Sequence, residues 1–276
     1  MSAIEPDNAD AIREHNRRAW DALVERGQRF TTPAKDDDVS GAAGTVAGDR
    51  WLDGGLAGQR LLCLAAGGGR QSMFYAAAGA VVTVVDVSPA MIALDRQVAA
   101  ERGLNIRAVC ASMDDLSAFA QAEFDVVIQP VSSCYLPDVT RIYREVSRVL
   151  SPGGLYISQH KQPTSLQAEI HPTTRGYEVT TPYDHRGPLP PVIGSPHREE
   201  GTLEFLHGWQ DLIGGLCRAG FVIEDLLEPK HGDAAAAIGS FAHRSRYAPP
   251  YVRIKARRVA TQDESRAPAG QLWTPE

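Results

Sequence analysis

The sequence predicts an α/β protein built on a doubly wound, mostly parallel sheet of seven strands with an antiparallel C-terminal edge strand. Two observations carry this prediction. Short apolar and β-branched runs alternate with helical patterns over residues 61–160, which is the order of a parallel sheet with crossover helices. A last strand near residue 251 alternates in polarity, as a strand at an antiparallel edge does.

Residues 1–60 precede the sheet as an accessory segment. Apart from Asn16, one helical stripe is apolar and consists of Ile12, Ala19, Trp20 and Leu23. We predict a helix here that either closes over a site as a lid or covers an edge of the sheet. The pattern alone favours neither role.

The first strand runs straight into a glycine-rich turn. Leu61-Leu62-Cys63-Leu64 is wholly apolar, and Ala65-Ala66-Gly67-Gly68-Gly69 follows it. Larger side chains would keep a ligand away from the backbone of such a turn, and glycine also permits backbone angles closed to other residues. The turn is therefore a candidate ligand loop, although a closely packed turn that binds nothing would have the same composition.

The second strand ends in a carboxylate. Residues 81–85 are β-branched, and Asp86 follows them about 20 residues after the glycines, where doubly wound folds place an acid that accepts hydrogen bonds from ribose hydroxyls. Ser88 can cap the next helix, which begins at Pro89 and ends at Gly103. This arrangement predicts a nucleoside site. An aspartate that merely helps to cap the helix is the alternative.

Three more strands complete the parallel part of the sheet, at residues 106–110, 124–128 and 155–158. A helix over 139–150 precedes the last of them, and Pro152-Gly153-Gly154 forms the turn between the two. The carboxyl ends of parallel strands meet at one edge, where open α/β sheets bind ligands. We therefore expect Gln129 and His160 near the glycine turn.

The segment 161–205 differs in composition from the core. Seven of the 18 prolines lie between residues 161 and 200, which excludes a long helix. Its tyrosines and histidines favour an ordered cover over the site. Residues 206–258 return to the sheet with a helix near 209–217 and strands beginning at Phe221 and Tyr251, and the polar tail 259–276 is expected to be flexible.

Composition limits the function classes. A net charge of −6 offers no basic field for nucleic acid or an anionic membrane. No apolar run approaches the roughly 18 residues of a membrane span, and the N-terminus lacks a signal-peptide core, so we expect a cytoplasmic protein. No metal cluster is evident. We expect buried thiols rather than disulfides or zinc ligands from the cysteines, which form no C-x-x-C pair: Cys63, Cys110, Cys134 and Cys217.

Five segments, in register, resemble the class I S-adenosylmethionine-dependent methyltransferases. They span residues 61–69, 84–91, 112–116, 124–127 and 148–154. Trp20 and Phe205-Leu206-His207 resemble elements of the small-molecule branch of that family. The resemblance implies a Rossmann-like fold with its cofactor-binding core at 61–160, S-adenosyl-L-methionine as cofactor and a small-molecule methyl acceptor. A homodimer stays open.

The resemblance also implies a set of cofactor contacts. These are Ala65, Gly67 and Gly69 for the methionine part, Asp86 for the ribose, Val87 and Met91 beside the adenine, Ser112 and Met113 at its edge, and Gln129 at the sulfonium. Cys63 and Ser112 depart from the family pattern, because an acid often stands at each of these two positions. Ala65 replaces the first glycine and adds one methyl group.

Catalysis is expected to depend on orientation. Holding the acceptor, the methyl carbon and the sulfur in line can contribute about 7–11 kcal/mol, against about 3–5 kcal/mol for a general base. If a base acts, His207, just before the helix near 209, is the first candidate and His160, at the end of the fifth strand, is the second. A helix-capping or surface role is the alternative for each histidine.

Two other functions remain open. Gly67-x-Gly69-x-x-Ser72 is one residue short of the dinucleotide fingerprint, which leaves a NAD(P)-dependent oxidoreductase, although Ser72 replaces the glycine needed for close packing. The second alternative function is cofactor binding without methyl transfer. Its only support is that Cys63 and Ser112 depart from the family pattern. O- or N-methylation is the first expectation for the reaction, with C-methylation also open.

Overall fold

The computed structural model describes residues 8–28, 30–33, 51–52 and 55–259, so the predicted flexible tail lies outside the described residues apart from Val259. The elements in chain order are α1 (Ala9–Glu25), β1 (Arg60–Leu64), α2 (Gln71–Ala77), β2 (Val81–Asp86), α3 (Pro89–Arg102), β3 (Ile106–Cys110), β4 (Phe124–Gln129), α4 (Val139–Val149), β5 (Leu150–Lys161), α5 (Pro163–Gln167), α6 (Gly215–Arg218), β6 (Phe221–Leu227), α7 (Phe241–Arg244) and β7 (Tyr251–Arg258).

The seven strands form one sheet in the order β3-β2-β1-β4-β5-β7-β6. Strands β1 to β5 pair in parallel, and β7 pairs antiparallel with both β5 and β6. The predicted fold class is confirmed, with the antiparallel strand one place inside the edge that β6 forms. The strand order reverses between β1 and β4, and open α/β sheets bind ligands at such a reversal.

Both faces of β1 are buried, which explains the unbroken apolar run of this strand. Leu62 and Leu64 belong to the apolar cluster that α4 and α6 cover, whereas Leu61 and Cys63 point into the cluster on the opposite face. Successive side chains of a strand alternate between faces, so a strand buried on both sides, such as β1, can be apolar at successive positions. The core therefore holds β1 and its turn rigidly in the centre of the molecule.

The predicted boundaries of α3 are confirmed. The Ser88 side chain accepts a hydrogen bond from the Met91 amide at 3.1 Å, and Pro89 occupies the first turn. Gly103 ends the helix in the left-handed region with φ 61°. The helix thus begins directly beside Asp86, at the carboxyl end of β2.

Three expectations need correction. Residues 150–161 form one strand rather than a turn followed by a strand, and its register jumps from Leu150 opposite Phe124 to Leu155 opposite Val126. The helix near 209–217 opens with a π-helical turn over Gln210–Gly214 before α6 begins. Cys110 and Cys217 are exposed because each lies on an outward face, so only Cys63 and Cys134 are the buried thiols expected.

The segment 161–205 is irregular but tightly connected. It contains α5 and isolated bridges between Ala168 and Val179 and between Pro188 and Phe205. The buried Arg244 guanidinium donates to the carbonyls of Ser165, Ala168 and Glu169 at 2.7–2.9 Å. In the described ranges, no helix has the length and apolar character needed to cross a bilayer.

Candidate active site

The glycine turn packs against the start of α3 and the tip of β2. A Cβ atom on Gly67 would lie 2.7 Å from Met91 Cβ and 3.0 Å from Asp86 Cγ, so only glycine fits there without displacing its neighbours. The Gly67 amide donates to Asp86 Oδ2 at 3.0 Å, and the Ser88 amide donates to Asp86 Oδ1 at 2.9 Å. The turn and the carboxylate predicted from the sequence therefore touch each other.

A second carboxylate, which the sequence analysis missed, also holds this turn. Asp95 Oδ2 accepts the Gly68 amide at 2.8 Å, and the Ser72 hydroxyl donates to Asp95 Oδ1. Burial raises the pKa of both Asp95 and Asp86 to about 6. The signal was available, because Asp95 is an acid on the buried stripe of α3, where it lies with Met91, Ile92, Val98 and Ala99.

Ala65 adopts a backbone conformation that favours glycine. Its φ is 47°, in the left-handed region, where a side chain costs about 1–2 kcal/mol. Replacing Ala65 by glycine should remove this strain and add backbone entropy to the unfolded chain worth about 0.5–1 kcal/mol. We expect Ala65→Gly to be equal to the wild type or up to about 1 kcal/mol more stable in urea unfolding.

The control is Ala66→Gly, at a buried neighbour without a left-handed φ. It should lose about 1 kcal/mol because no strain offsets the entropy cost. An Ala65→Gly variant that is less stable than Ala66→Gly would contradict the strain argument.

The helix α1 lies across the carboxyl edge of the sheet, where polar side chains attach it at three places. Arg13 forms a two-bonded pair with Asp114, at 3.0 and 2.5 Å. The buried Asn16 amide donates to the carbonyls of Tyr135 and Leu203. Asp21 makes the third attachment, because its carboxylate accepts hydrogen bonds from the Ser88 hydroxyl at 2.6 Å and the Ala90 amide at 3.2 Å. Together the three attachments to separate loops fix α1 over the ends of the strands.

A cavity of about 540 Å³, partly open to solvent, lies between α1 and the strand ends. Six of the residues predicted to contact a cofactor line it: Ala65, Asp86, Val87, Met91, Ser112 and Met113. The rest of the wall consists of residues that were not among the predicted cofactor contacts: Arg13, Asn16, Trp20, Ser132, Tyr135 and Leu136. The rings of Trp20 and Tyr135 meet edge to face, with centroids 5.6 Å apart.

Three predicted cofactor residues lie behind this wall. Gly67 faces Met91 and Asp86, and a Cβ atom on Gly69 would lie 2.8 Å from Val98 Cγ2, so Gly69 serves the packing of α3. Gln129 is fully buried, and its amide nitrogen lies 2.9 Å from Ser132 Oγ. Each of them supports a residue or turn that does reach the cavity.

Both predicted histidines are buried, and neither lines the cavity. His207 Nε2 lies 3.0 Å from the carbonyl oxygen of Leu136 and 3.2 Å from that of Ser133, which requires it to carry the proton and donate. His160 has Ser133 Oγ at 2.7 Å from Nδ1 and Ser158 Oγ at 2.8 Å from Nε2. Burial lowers the pKa of His207 and lowers that of His160 to about 3.

A buried ionic cluster lies behind Tyr135. The Lys161 ammonium, at the end of β5, is 2.8 Å from Glu199 Oε2 and 3.0 Å from Glu204 Oε2. The Tyr135 hydroxyl donates to Glu199 Oε2 at 2.7 Å. Burial alone would raise the pKa of Glu199, but the Lys161 ammonium outweighs it and holds that pKa below its usual value. The cluster thus joins the cavity wall to the segment 161–205.

Sequence comparison finds methyltransferases among the relatives of this chain. A model of the methyltransferase domain family matches residues 62–158. The chain is 33% identical over 238 residues to the uncharacterized methyltransferase YbaJ of Bacillus subtilis, covering 81% of this chain and 92% of that protein. It is 36% identical over 104 residues to a ubiquinone biosynthesis O-methyltransferase of Xanthomonas euvesicatoria, of which it spans only 44%.

Structural comparison agrees with the sequence matches. A crystal structure of an S-adenosylmethionine-dependent methyltransferase from Mesorhizobium loti superimposes with a TM-score of 0.62 at 25% identity. The superposition covers 79% of this chain and 100% of that chain. The similarity therefore extends over the whole of that protein.

Proposed function

The chain belongs to the class I S-adenosylmethionine-dependent methyltransferases, and we propose that it transfers the methyl group of S-adenosyl-L-methionine to a small-molecule acceptor. The observation that carries the acceptor class is the position of α1. This helix crosses the cavity and is fixed by the buried Asn16 to the loops at Tyr135 and Leu203. An acceptor that reaches a site under this helix has to be small.

We propose that the cavity residues hold the cofactor in two parts. The Asp86 carboxylate already accepts two backbone amides and retains lone pairs for ribose hydroxyls, while Val87 and Met91 offer apolar surface to the adenine. Ala65, Ser132 and Tyr135 line the other end of the cavity, toward which the methionine part would extend. The bound cofactor supplies an electrophilic methyl group on a sulfonium, and the chain's own residues supply orientation and exclude water.

The presence of Ser112 where the family often has an acid has a local explanation. Ser112 Oγ donates to Asp114 Oδ1 at 2.5 Å, and Asp114 in turn binds Arg13 of α1. An acid is therefore present two residues further on, but its charge is used to attach α1. We propose that the adenine edge meets the Ser112 and Met113 region through backbone and hydroxyl groups.

Calorimetry with a nucleoside ligand and a dinucleotide tests the assignment. We expect S-adenosylhomocysteine to bind the purified protein and NADH to give no heat. Membership in the methyltransferase family already argues against the oxidoreductase alternative and against a protein without transfer activity. The O-methyltransferase relative matches over only 37% of this chain, which is too little to assign the atom that is methylated. Methylation of an oxygen or a nitrogen is therefore part of the proposal.

Binding of S-adenosylhomocysteine should depend on pH through Asp86, if the ribose contact is correct. Burial raises the pKa of this carboxylate to about 6, and its protonated form has fewer sites that accept hydrogen bonds. Since only the ionised form binds well, the apparent affinity should be constant above neutrality and fall about tenfold between pH 7 and pH 5. An Asp86→Asn variant should bind more weakly and lose this fall in affinity. Asp95→Asn, which removes the other carboxylate at the turn with a pKa raised to about 6, should keep it. A flat wild-type profile, or the same fall in Asp86→Asn, would contradict the Asp86 contact.

We propose that His207 positions the loop of Tyr135 and Leu136 and does not act as a base. Its Nε2 proton is shared by two backbone carbonyls, and His207→Ala would leave these buried acceptors without a donor. We expect a loss of about 1–3 kcal/mol in the free energy of unfolding, measured in urea. The control His171→Ala removes an exposed histidine and should change stability by less than about 0.5 kcal/mol. A His207→Ala protein of wild-type stability would instead favour the base.

A further inference from the structure

A second cleft adjoins the cofactor cavity, between the C-terminal end of α1 and the segment 194–200. It encloses about 610 Å³, partly open to solvent. We call it the cover cleft, and the residues that matter below are Leu23, Arg26, Phe30, Arg198, Glu199 and Glu200.

The cover cleft shares a wall with the cofactor cavity. Glu199 lines the cleft and accepts a hydrogen bond at 2.7 Å from the hydroxyl of Tyr135, whose side chain lines the cofactor cavity. On the other side, the Phe30 carbonyl oxygen would lie 3.3 Å from a Cβ atom on Gly68, so this part of the cleft rests on the glycine turn. A molecule in the cleft would thus be a neighbour of the cofactor.

Arg198 has donor capacity that its protein contacts do not use. Its side chain is only 11% exposed, and among the described residues its short contact is from Nη1 to the Pro190 carbonyl oxygen at 2.7 Å. Nε lies 3.3 Å from Glu204 Oε2, outside hydrogen-bonding geometry, and has no acceptor among the described residues. A nearly buried guanidinium with unused donors is suited to a carboxylate, which can accept two parallel hydrogen bonds.

The other charges in the cover cleft leave it without a net positive charge. Arg26 supplies a second guanidinium from the end of α1, whereas Glu199 and Glu200 supply two carboxylates. Glu199 is already paired with Lys161, and Glu200 Oε2 lies 3.5 Å from the Gly194 amide. Because the formal charges balance, recognition would come from directed donors and not from a net positive field. Leu23 and Phe30 provide apolar surface for a carbon skeleton.

We propose that the cover cleft is the acceptor site and that it binds a small organic acid through a carboxylate held by Arg198 and Arg26. This inference rests on the proposed methyltransferase function and narrows its substrate class. The acceptor atom would be a hydroxyl oxygen or amine nitrogen of the same molecule, placed at the Tyr135–Glu199 boundary where the cleft adjoins the cofactor cavity. Its lone pair would form the bond to the methyl carbon as the bond from that carbon to the sulfonium sulfur breaks, which leaves S-adenosylhomocysteine. The proton that the acceptor carries would pass to water at the open side of the cleft.

The test uses the full chain saturated with S-adenosylhomocysteine, so that the cofactor cavity is filled. Salicylate, 4-hydroxybenzoate and anthranilate serve as probes, each compared with its methyl ester, and binding is followed by ligand-observed NMR. We expect at least one acid to bind and its ester to bind at least about tenfold more weakly, because esterification removes the charge that Arg198 would meet. Absence of binding by all three acids, or equal binding of acid and ester, would overturn the proposal.

Three variants locate the site. Arg198→Gln and Arg26→Gln should each weaken the acid about tenfold, and the exposed Arg18→Gln on α1, outside the cleft, should leave it unchanged. Arg26 is exposed, so its variant stays informative even if Arg198→Gln fails to fold. If these variants weaken S-adenosylhomocysteine and not the acid, the cleft serves the cofactor and the proposal is wrong. Failure of the wild type to bind S-adenosylhomocysteine would instead contradict the proposed function.

Discussion

Gly67→Ala is expected to reduce affinity for S-adenosylhomocysteine by up to about 100-fold. The new Cβ atom would meet Met91 Cβ at 2.7 Å and the Asp86 carboxyl carbon at 3.0 Å. Neither atom is the far end of a flexible side chain, so the turn, the start of α3 or the carboxylate has to move. Overpacking of this kind costs typically about 1–3 kcal/mol, which corresponds to about 10–100-fold in an equilibrium.

Isothermal titration calorimetry measures this effect, and Gly103→Ala is the control for a glycine replaced outside the cavity. Unlike Gly67, Gly103 takes a left-handed φ, but a Cβ atom there has no neighbour within 4 Å. Its replacement should lower stability by about 1–2 kcal/mol and leave the affinity for S-adenosylhomocysteine unchanged. If Gly67→Ala binds this ligand as tightly as Gly103→Ala does, the close contact between the turn and Asp86 is not required for binding.

Lys161→Met is expected to lower the free energy of unfolding by about 3–5 kcal/mol. The Lys161 side chain is 4% exposed and lies between Glu199 and Glu204, and the Glu204 side chain is wholly buried. Removal of the ammonium leaves two carboxylates facing each other away from water, with Arg198 as the remaining cation near Glu204. Breaking a buried ion pair from one side is costly because the other charge loses its partner.

Urea unfolding of Lys161→Met and of Lys255→Met, measured side by side, separates the stability lost through burial of the ion pair from that lost through removal of a positive charge. Lys255 forms a pair with Glu224 at 3.3 Å on a more exposed part of the sheet, and its loss should cost less than about 1 kcal/mol. The effect of Lys161→Met should also shrink as pH falls, since the lowered pKa of Glu199 means that its contribution is present at neutral pH and lost when it protonates. Equal effects of the two substitutions at neutral pH would contradict the buried-cluster argument.

Local signals predicted much of the fold. The cap at Ser88, the proline that follows it and Gly103 define α3 because each satisfies backbone groups within a few residues. The contact between Asp86 and the glycine turn was also predictable, since parallel strands bring their carboxyl ends to one edge. These inferences required no knowledge of distant partners.

Features that depend on distant pairing were beyond the sequence pattern. The docking of α1 rests on contacts such as Asn16 with Leu203, far apart in the chain, so the pattern could not decide between a lid and an edge cover. The surroundings of His207 were likewise invisible, because its acceptors are backbone carbonyls that any residues would present. Asp95 is different, because its position on the apolar stripe of α3 would have predicted that it is a buried acid.

The attachment of α1 has a consequence for turnover. The same helix contacts Asp114, the Tyr135 loop and the start of α3, so any outward movement of α1 that widens the cavity for exchange of a spent nucleoside has to break contacts at all three places. Two of these attachments involve ionised side chains, which dissolved ions weaken. Salt concentration would therefore regulate how fast the enzyme resets between cycles, independently of how fast the transfer step itself proceeds.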